Sequence, residues 1–146
     1  MILIINTADQ KQVFIGLVNK GELVVKKKFQ AQYRQAEKLL IETDKLLKVQ
    51  SSKPKAIKGI VVVNGPGPFT ALRIGVITAN TLAWALKIPV ASIKLTEFEN
   101  IEKLVKISEE KIKKAKVGTI IEPFYGKEPN ITRRRPNKIG TLAGKP

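Results

Sequence analysis

Residues 58–90, KGIVVVNGPGPFTALRIGVITANTLAWALKIPV, constrain the fold more than any other stretch of the chain. The apolar, β-branched run at 56–63 predicts a short strand that is buried on both faces. The loop NGPGP (64–68) follows, and an almost uncharged segment at 69–87 then predicts a helix. A further strand is expected at 88–93. A strand, a helix and a second strand in this order require a right-handed crossover and a parallel part of the sheet.

The flanking segments predict the remaining elements. We expect strands at 2–6, 12–19 and 22–29, with a hairpin turn at Lys20-Gly21, a helix at 31–50, and a charged helix at 96–116 in which Thr96 and Glu99 have the spacing of a capping box. The resulting order, β-β-β-α-β-α-β-α, predicts an α/β fold of the ribonuclease-H-like layout with a mixed five-stranded sheet. We divide the chain into a core (1–95), a C-terminal helix with a bridging strand (96–122) and a basic tail rich in Pro and Gly (123–146).

Two predicted helices carry the residues that packing or a partner would use. One face of helix 31–50 is expected to hold Ala36, Leu39, Leu40, Thr43, Leu46 and Leu47. In helix 69–87 only Arg73 and Lys87 are charged, and a strip of small residues comprises Ala71, Gly75, Ala79 and Ala83. Either helix 31–50 covers this strip within the chain, or the two helices together offer an apolar surface to a partner protein. The sequence leaves both alternatives open.

Composition limits the possible chemistry. The chain has no cysteine, which excludes disulfides and thiolate metal sites, and no histidine, the commonest general base. Asp9 and Asp44 are the only aspartates; we expect the first in a turn and the second on an exposed helix surface. Glu122, beside Pro123, is the one glutamate at a strand end that could face a cleft. We therefore expect no catalytic residue, no metal site and no cofactor.

The charge balance suggests a polyanionic partner. Lys and Arg number 27 against 12 Asp and Glu, a formal net charge of +15. Such an excess attracts nucleic acid, although scattered lysine can also reflect general solubility. The concentrated runs are KIKKAK (111–116) and RRRPNK (133–138), and we take Arg133, Arg134, Arg135 and Lys138 as candidates for contact with tRNA. No apolar stretch is expected to reach the ~18 residues of a membrane span, and no signal peptide is recognised, so a cytoplasmic location is expected.

The glycine-containing loop does not match the known phosphate-binding patterns. A P-loop needs a lysine after its last glycine, but Pro68 and Phe69 follow Gly67. The third glycine of a dinucleotide-binding loop is replaced by Thr70. Prolines 66 and 68 also remove two N–H donors that a phosphate would use. A tight turn between strand and helix is the better interpretation.

The same residues resemble a known family. The stretch NGPGPFTALRIGVITANTLAWALKIPVASI (64–93) is similar to the signature of the TsaB (YeaZ) family, G-P-G-S-F-T-G-L-R-I-G followed by an alanine-rich helix and I-P. The start ILIINT resembles that family's I-L-A-I-D-T, and EPFYGKEP (122–129) resembles its late P-x-Y-x-R-x-P element. On this resemblance the motif turn comprises Asn64, Gly65, Pro66, Gly67 and Thr70.

The resemblance implies a fold and a role. TsaB proteins have an actin-like ATPase fold, normally with two ribonuclease-H-like lobes. They are the partner on which TsaD dimerises in the system that places N6-threonylcarbamoyl on the adenosine next to the tRNA anticodon. TsaD performs the chemistry, and TsaE is an ATPase of the same system. The implied partners are therefore a TsaD-type subunit, a TsaE-type ATPase, and tRNA through the complex, or a second copy of the chain when it is alone.

In this family the helices after the hairpin and after the G-P-G loop form a bundle with those of TsaD. Carried onto this chain, the implied interface residues are Leu39, Leu40, Leu46, Leu47, Phe69, Leu72, Arg73, Gly75, Val76, Ala79, Asn80 and Ala83.

Two departures from the family pattern favour a scaffold without catalysis. Asn6 stands where the family has an aspartate that helps to hold metal and nucleotide, and an amide cannot supply that charge to Mg²⁺. The helix at 96–116 leads directly to EPFY, so the second lobe of the family is not expected here. Pro68 and Ala71 also replace the usual Ser and Gly. The alternatives are a stand-alone basic module that binds RNA or DNA, and a divergent single-lobe nucleotide-binding enzyme.

Overall fold

The computed structural model describes residues 1–9, 11–30 and 35–126. Within these residues, five strands and three α-helices follow one another in the predicted order, and two short 3₁₀ turns lie at Pro54–Ala56 and Leu95–Glu97. The elements are β1 (Ile2–Asn6), β2 (Gln12–Asn19), β3 (Glu22–Gln30), α1 (Gln35–Val49), β4 (Gly59–Gly65), α2 (Phe69–Leu86), β5 (Val90–Lys94) and α3 (Ile101–Lys114).

The strands form one mixed sheet in the order β3-β2-β1-β4-β5. β1, β2 and β3 pair antiparallel as a meander, whereas β4 pairs parallel with both β1 and β5. The two parallel pairs require the crossovers that α1 and α2 provide. The α/β fold with a mixed five-stranded sheet, predicted from the order of the elements, is therefore confirmed.

The sheet separates two apolar layers. In β1 the side chains of Leu3 and Ile5 belong to the layer that α1 and α2 cover, and those of Ile2 and Ile4 belong to the layer on the α3 side. This alternation follows from the two-residue repeat of a strand. Since both faces are covered, β1 and β4 carry unbroken apolar runs up to Asn6 and Asn64 near their ends, as predicted for strands buried on both sides.

The buried face of α1 differs in part from the prediction. Leu39, Thr43, Leu46 and Leu47 are buried as expected, whereas Ala36 is exposed and Leu40 is 50% exposed. The face is rotated toward β3, where the Glu42 carboxylate accepts a bond from the Lys27 ammonium. That bond, outweighing the effect of burial, lowers the pKa of Glu42. Periodicity alone did not reveal this buried carboxylate, because its partner comes from another element.

The predicted start of α3 was wrong. Thr96 lies in a 3₁₀ turn, and the helix begins at Ile101 with Asn100 as its N-cap; the Asn100 side chain accepts from Lys103 N–H at 2.9 Å. Asparagine is among the best N-cap residues, so it takes precedence over the capping-box spacing. Glu97 instead accepts from Lys94 N–H at 2.8 Å and contacts Lys111, and these interactions lower its pKa.

The helix predicted at 69–87 is confirmed as α2. This helix of 18 residues is long enough, and on average apolar enough, to cross a membrane by length and composition, so the expectation that no stretch reaches that length was wrong. Length and composition alone are weak evidence, because a core helix passes the same test. The residues of α2 that face the sheet, among them Leu72, Val76 and Ala79, are buried in the core.

Candidate functional site

The loop between β4 and α2 is closed on both sides by backbone. Gly65 has φ +136°, and a Cβ at this position would lie 1.8 Å from the carbonyl oxygen of Phe124. A Cβ on Gly67 would lie 2.6 Å from the carbonyl oxygen of Ala8, in the segment after β1. Only glycine allows approaches this close, and only glycine readily adopts the backbone angle at Gly65. The two glycines of the motif turn therefore serve contacts within the chain.

We call the extended segment at 117–126 the strap. It follows α3, lies beside β5 at Thr119 and Ile121, and covers the loop. The Phe124 N–H donates to the carbonyl oxygen of Asn64 at 2.8 Å, and the Asn64 side-chain Nδ2 donates to the carbonyl oxygen of Glu122 at 2.9 Å. The strap is thus attached to β4 by one backbone–backbone bond and one bond from a side chain.

Asn80 of α2 holds the strap at a second point. Its Nδ2 donates to the carbonyl oxygen of Ile121, and its Oδ1 accepts from the Ile121 N–H, each at 2.9 Å. Two ring contacts add to this attachment: Phe69 meets Tyr125 edge-on with ring centroids 4.1 Å apart, and the Lys94 ammonium lies 4.3 Å from the centre of the Phe124 ring. The start of α2 is therefore packed against the end of the strap.

Replacing Asn80 should loosen the strap without unfolding the sheet. Asn80→Ala leaves the Ile121 N–H and C=O without their partners, and two lost bonds cost about 2 kcal/mol. We expect faster hydrogen exchange at the Ile121 amide and a lower free energy of unfolding in urea. Thr81→Ala, one residue further along α2 and exposed, is the matched control. Equal exchange at Ile121 in both variants would contradict this account of the strap.

Asn6 caps the turn after β1 and is not paired with an acidic group. Its Oδ1 accepts from Ala8 N–H at 2.9 Å. Beside it is a small cavity of about 160 Å³, whose lining includes Asp9, Phe14 and Lys28. The Asp9 carboxylate accepts from Lys11 N–H at 2.7 Å, which confirms the predicted turn role. In the described part of the chain, no three His, Cys, Asp or Glu residues lie close enough to hold a metal ion.

The other carboxylates named from the sequence lie apart from this site. The Glu122 side chain is exposed, and it is the backbone carbonyl of this residue that contacts Asn64. Asp44 is exposed on α1 and pairs with Lys48 at 2.9 Å, as its predicted surface position implies. The arrangement around the loop is thus a set of backbone and amide contacts rather than an acid–base pair.

Most of the interface residues implied by the sequence are buried within the chain. This set comprises Leu39, Leu46, Leu47, Leu72, Gly75, Val76, Ala79 and Ala83. The strip of small residues on α2 is covered intramolecularly: Ala79 and Ala83 belong to one core cluster with Leu39 and Leu46, and a Cβ on Gly75 would meet the Thr7 hydroxyl at 2.3 Å. Asn80 is partly exposed and holds the strap. Leu40, Phe69 and Arg73 remain exposed.

The exposed side of α2 carries Phe69, which the resemblance implied as an interface residue, and two apolar residues that the sequence analysis did not name, Ile77 and Trp84. Phe69, Ile77 and Trp84 are 61%, 62% and 81% exposed. With Arg73 between them, their spacing places them along one side of the helix. We call Phe69, Arg73, Ile77 and Trp84 the α2 ridge. The signal was present in the sequence, since a helix that is apolar all round has an apolar side left over when one face packs on a sheet.

A groove continues the apolar surface at the C-terminal half of α2. It has a volume of about 560 Å³ and runs between α2 and the start of the strap. Trp84 and Ile88 line it on one side, and Val117 and Ile120, which are 61% and 75% exposed, line it on the other. The strap therefore contributes to this surface as well as to the closure of the loop. Arg133, Arg134, Arg135 and Lys138 lie outside the described residues.

The fold and the site define a class of protein: a ribonuclease-H-like α/β lobe whose glycine loop is closed by its own chain. The chain belongs to the family described as TsaD, tRNA N6-adenosine threonylcarbamoyltransferase, whose model matches residues 29–121. A 44-residue stretch is 48% identical to the tRNA threonylcarbamoyladenosine biosynthesis protein TsaB of Bacillus subtilis (strain 168), covering 30% of this chain and 19% of that protein.

Solved structures agree with this placement. YeaZ from Pseudomonas aeruginosa superposes with a TM-score of 0.58 at 26% identity, over 64% of this chain and 43% of that one. A second structure, described as an uncharacterized protein with similarity to peptidase YeaZ from Pseudomonas aeruginosa, gives 0.59 at 26% identity, over 64% and 42%. The resemblance to the TsaB (YeaZ) family and the actin-like, ribonuclease-H-like fold are thereby confirmed. The chain spans less than half the length of these relatives.

Proposed function

We propose that this chain is a non-catalytic scaffold subunit in tRNA N6-threonylcarbamoyladenosine biosynthesis, on which a TsaD-type subunit dimerises. Membership of the TsaD family and similarity to TsaB support the pathway. A TsaE-type ATPase and tRNA are further partners in the proposed complex, whose location is the cytoplasm. When no TsaD-type subunit is present, a second copy of the chain could occupy the same surface.

The observation that carries the proposal is the α2 ridge. Three large apolar side chains, Phe69, Ile77 and Trp84, are exposed along one helix, and Leu40 of α1 is half exposed. Aromatic and aliphatic side chains that project from a rigid helix are typical anchors of protein interfaces, where arginine is also enriched. The interface implied by the resemblance is therefore retained for α1 and α2, but with these outward residues as the contacts.

The closed loop supports the absence of catalysis. The Phe124 carbonyl oxygen points at Gly65 where an anion would need free N–H groups, and Pro66 and Pro68 provide none. A carbonyl oxygen is itself partly negative and repels a phosphate at that position. Together with Asn6 in place of a metal-binding carboxylate, this favours a scaffold over a nucleotide-processing enzyme.

Co-expression tests this function directly. The chain is produced with the TsaD-type protein of the same cell and analysed by size exclusion, and the purified chain is assayed for Mg²⁺-dependent ATP turnover. We expect a stable complex and no turnover by the chain alone. Elution of the two proteins apart would refute the scaffold role, and turnover that is lost on Asn6→Ala would establish the nucleotide-binding enzyme instead.

A further inference from the structure

Exposed lysines gather at the end of the sheet opposite the loop. Because β1, β4 and β5 run parallel, their first residues lie at one end. The connection that leads into β4 carries Lys53, Lys55 and Lys58, all exposed. It is fixed at this end because the Lys58 N–H donates to the Met1 carbonyl oxygen at 2.7 Å.

Two further lysines at this end occupy unusual backbone positions. Lys20 is at the tip of the hairpin between β2 and β3, and Lys87 lies between α2 and β5. Their φ angles are 54° and 57°, in the left-handed region that glycine and asparagine adopt at lower cost. Backbone geometry therefore does not account for lysine at either position.

The end of α3 completes this surface. A Cβ on Gly59, the first residue of β4, would lie 2.8 Å from the Ile112 side chain, so the last turn of α3 is next to the start of β4. The exposed residues there are Lys113, Lys114 and Lys116. The helix dipole favours cations at a helix C-terminus, which explains lysine on α3 but not in the connections. We call these lysines, with those of the connections, the basal lysine face.

The positive charge of this end is not neutralised within the described residues. None of the lysines of the basal face forms an ion pair with a carboxylate there, although Glu22, Glu109 and Glu110 lie at the same end. At the opposite end, four lysines (11, 28, 94 and 103) are accompanied by four carboxylates, namely Asp9, Glu97, Glu99 and Glu102. The excess of lysines over carboxylates is therefore confined to the basal end of the sheet. If the lysines served only general solubility, no such concentration at one end would be needed.

We propose that the basal lysine face binds the phosphate backbone of tRNA. Lysines on several separate connections suit a row of phosphates, and such contacts position a nucleic acid without reading its bases. The choice of tRNA as the polyanion rests on the proposed function. An anionic membrane fits less well, because Ile57 in the lysine-bearing connection is buried, whereas membrane-surface segments expose large apolar residues beside their lysines.

The test compares two triple variants of equal charge. K53E/K55E/K58E alters the basal face, and K11E/K28E/K103E alters exposed lysines at the opposite end that have no described ion pair. Binding of a fluorescein-labelled, unmodified tRNA transcript to the full chain is followed by anisotropy at several KCl concentrations. The basal variant should bind at least ~10-fold more weakly at ~0.1 M salt, with a salt slope smaller by roughly 2 to 3. The control should keep most of the affinity and slope.

Two results would overturn the inference. Equal losses in both variants would mean that net charge, not the basal face, determines binding. Retained tRNA affinity in the basal variant, with lost binding to vesicles of phosphatidylserine and phosphatidylcholine, would assign the face to a membrane.

The scaffold role is scored separately, by size exclusion with the TsaD-type protein. The basal variant should still form that complex. Suppose that the unaltered chain forms no complex with such a subunit, and that only the basal variant loses tRNA affinity. This result would refute the proposed function while supporting tRNA binding by the basal lysine face.

Discussion

Gly65→Ala should destabilise the chain by about 4 kcal/mol, the largest effect expected of any single methyl group added to it. The added Cβ would lie 1.8 Å from the Phe124 carbonyl oxygen, and the backbone at φ +136° is already unfavourable for alanine. Neither term can be relieved by rotation of a side chain, because the atom that is met belongs to the backbone. Either the strap moves away from the loop or β4 shifts in the sheet.

Gly118→Ala separates the two contributions. Gly118 also has a positive φ, +101°, but no atom lies within 4 Å of the position that its Cβ would take. It should therefore lose only the conformational term, about 1 to 2 kcal/mol. Urea denaturation followed by circular dichroism measures both variants. Similar losses in the two would show that closure by Phe124 contributes nothing to stability.

Reversal of polarity on the α2 ridge should have the second largest effect, on association rather than folding. Ile77→Glu or Trp84→Glu places a carboxylate where contact with a partner's apolar surface would remove its hydrating water. Each substitution should weaken binding of the TsaD-type subunit about 100-fold or more. Both residues are mostly exposed, so the free energy of unfolding should change little. Isothermal titration calorimetry gives the dissociation constant.

Val24→Glu is the control for the ridge. Val24 is an apolar residue of β3 that is 38% exposed, and β3 is the strand at the far edge of the sheet. Its replacement should leave the affinity unchanged. If Val24→Glu weakened the complex and the ridge variants did not, the interface would have to be moved from the helices to the sheet edge.

Local patterns were sufficient to predict most of the architecture. Some elements are specified by residues that are adjacent in the sequence. Examples are the strands at Ile2–Asn6 and Gly59–Gly65, which are apolar runs, and the hairpin turn at Lys20-Gly21. The burial of Glu42 and exposure of Leu40 were missed, because they depend on where α1 crosses β3. The periodicity of apolar residues predicts which face of a helix is apolar, but it does not predict the element against which that face packs.

The attachments of the strap could not be predicted from sequence patterns. Its attachments join residues that are 58 and 41 positions apart, Asn64 to Glu122 and Asn80 to Ile121. Asn64 belongs to the motif turn, but neither that motif nor the sequence around Asn80 indicates which residue each side chain contacts, and the strap has no apolar periodicity of its own. The residues of the loop were found by their glycines and prolines, but the reason for glycine at Gly65 is a carbonyl that comes much later in the chain.

The separation in sequence between the loop at Gly65 and the strap that closes it also determines the order in which they are synthesised. When β4 and α2 have left the ribosome, the residues that close the loop have not yet been translated, since domains are completed only as their last segments emerge. Gly65 and the amide of Asn64 are then free of Phe124 and Glu122. Closure of the loop is thus the final step of building the described lobe. A nascent chain that stops before Ile121 would present the loop in an open form that the finished protein does not have.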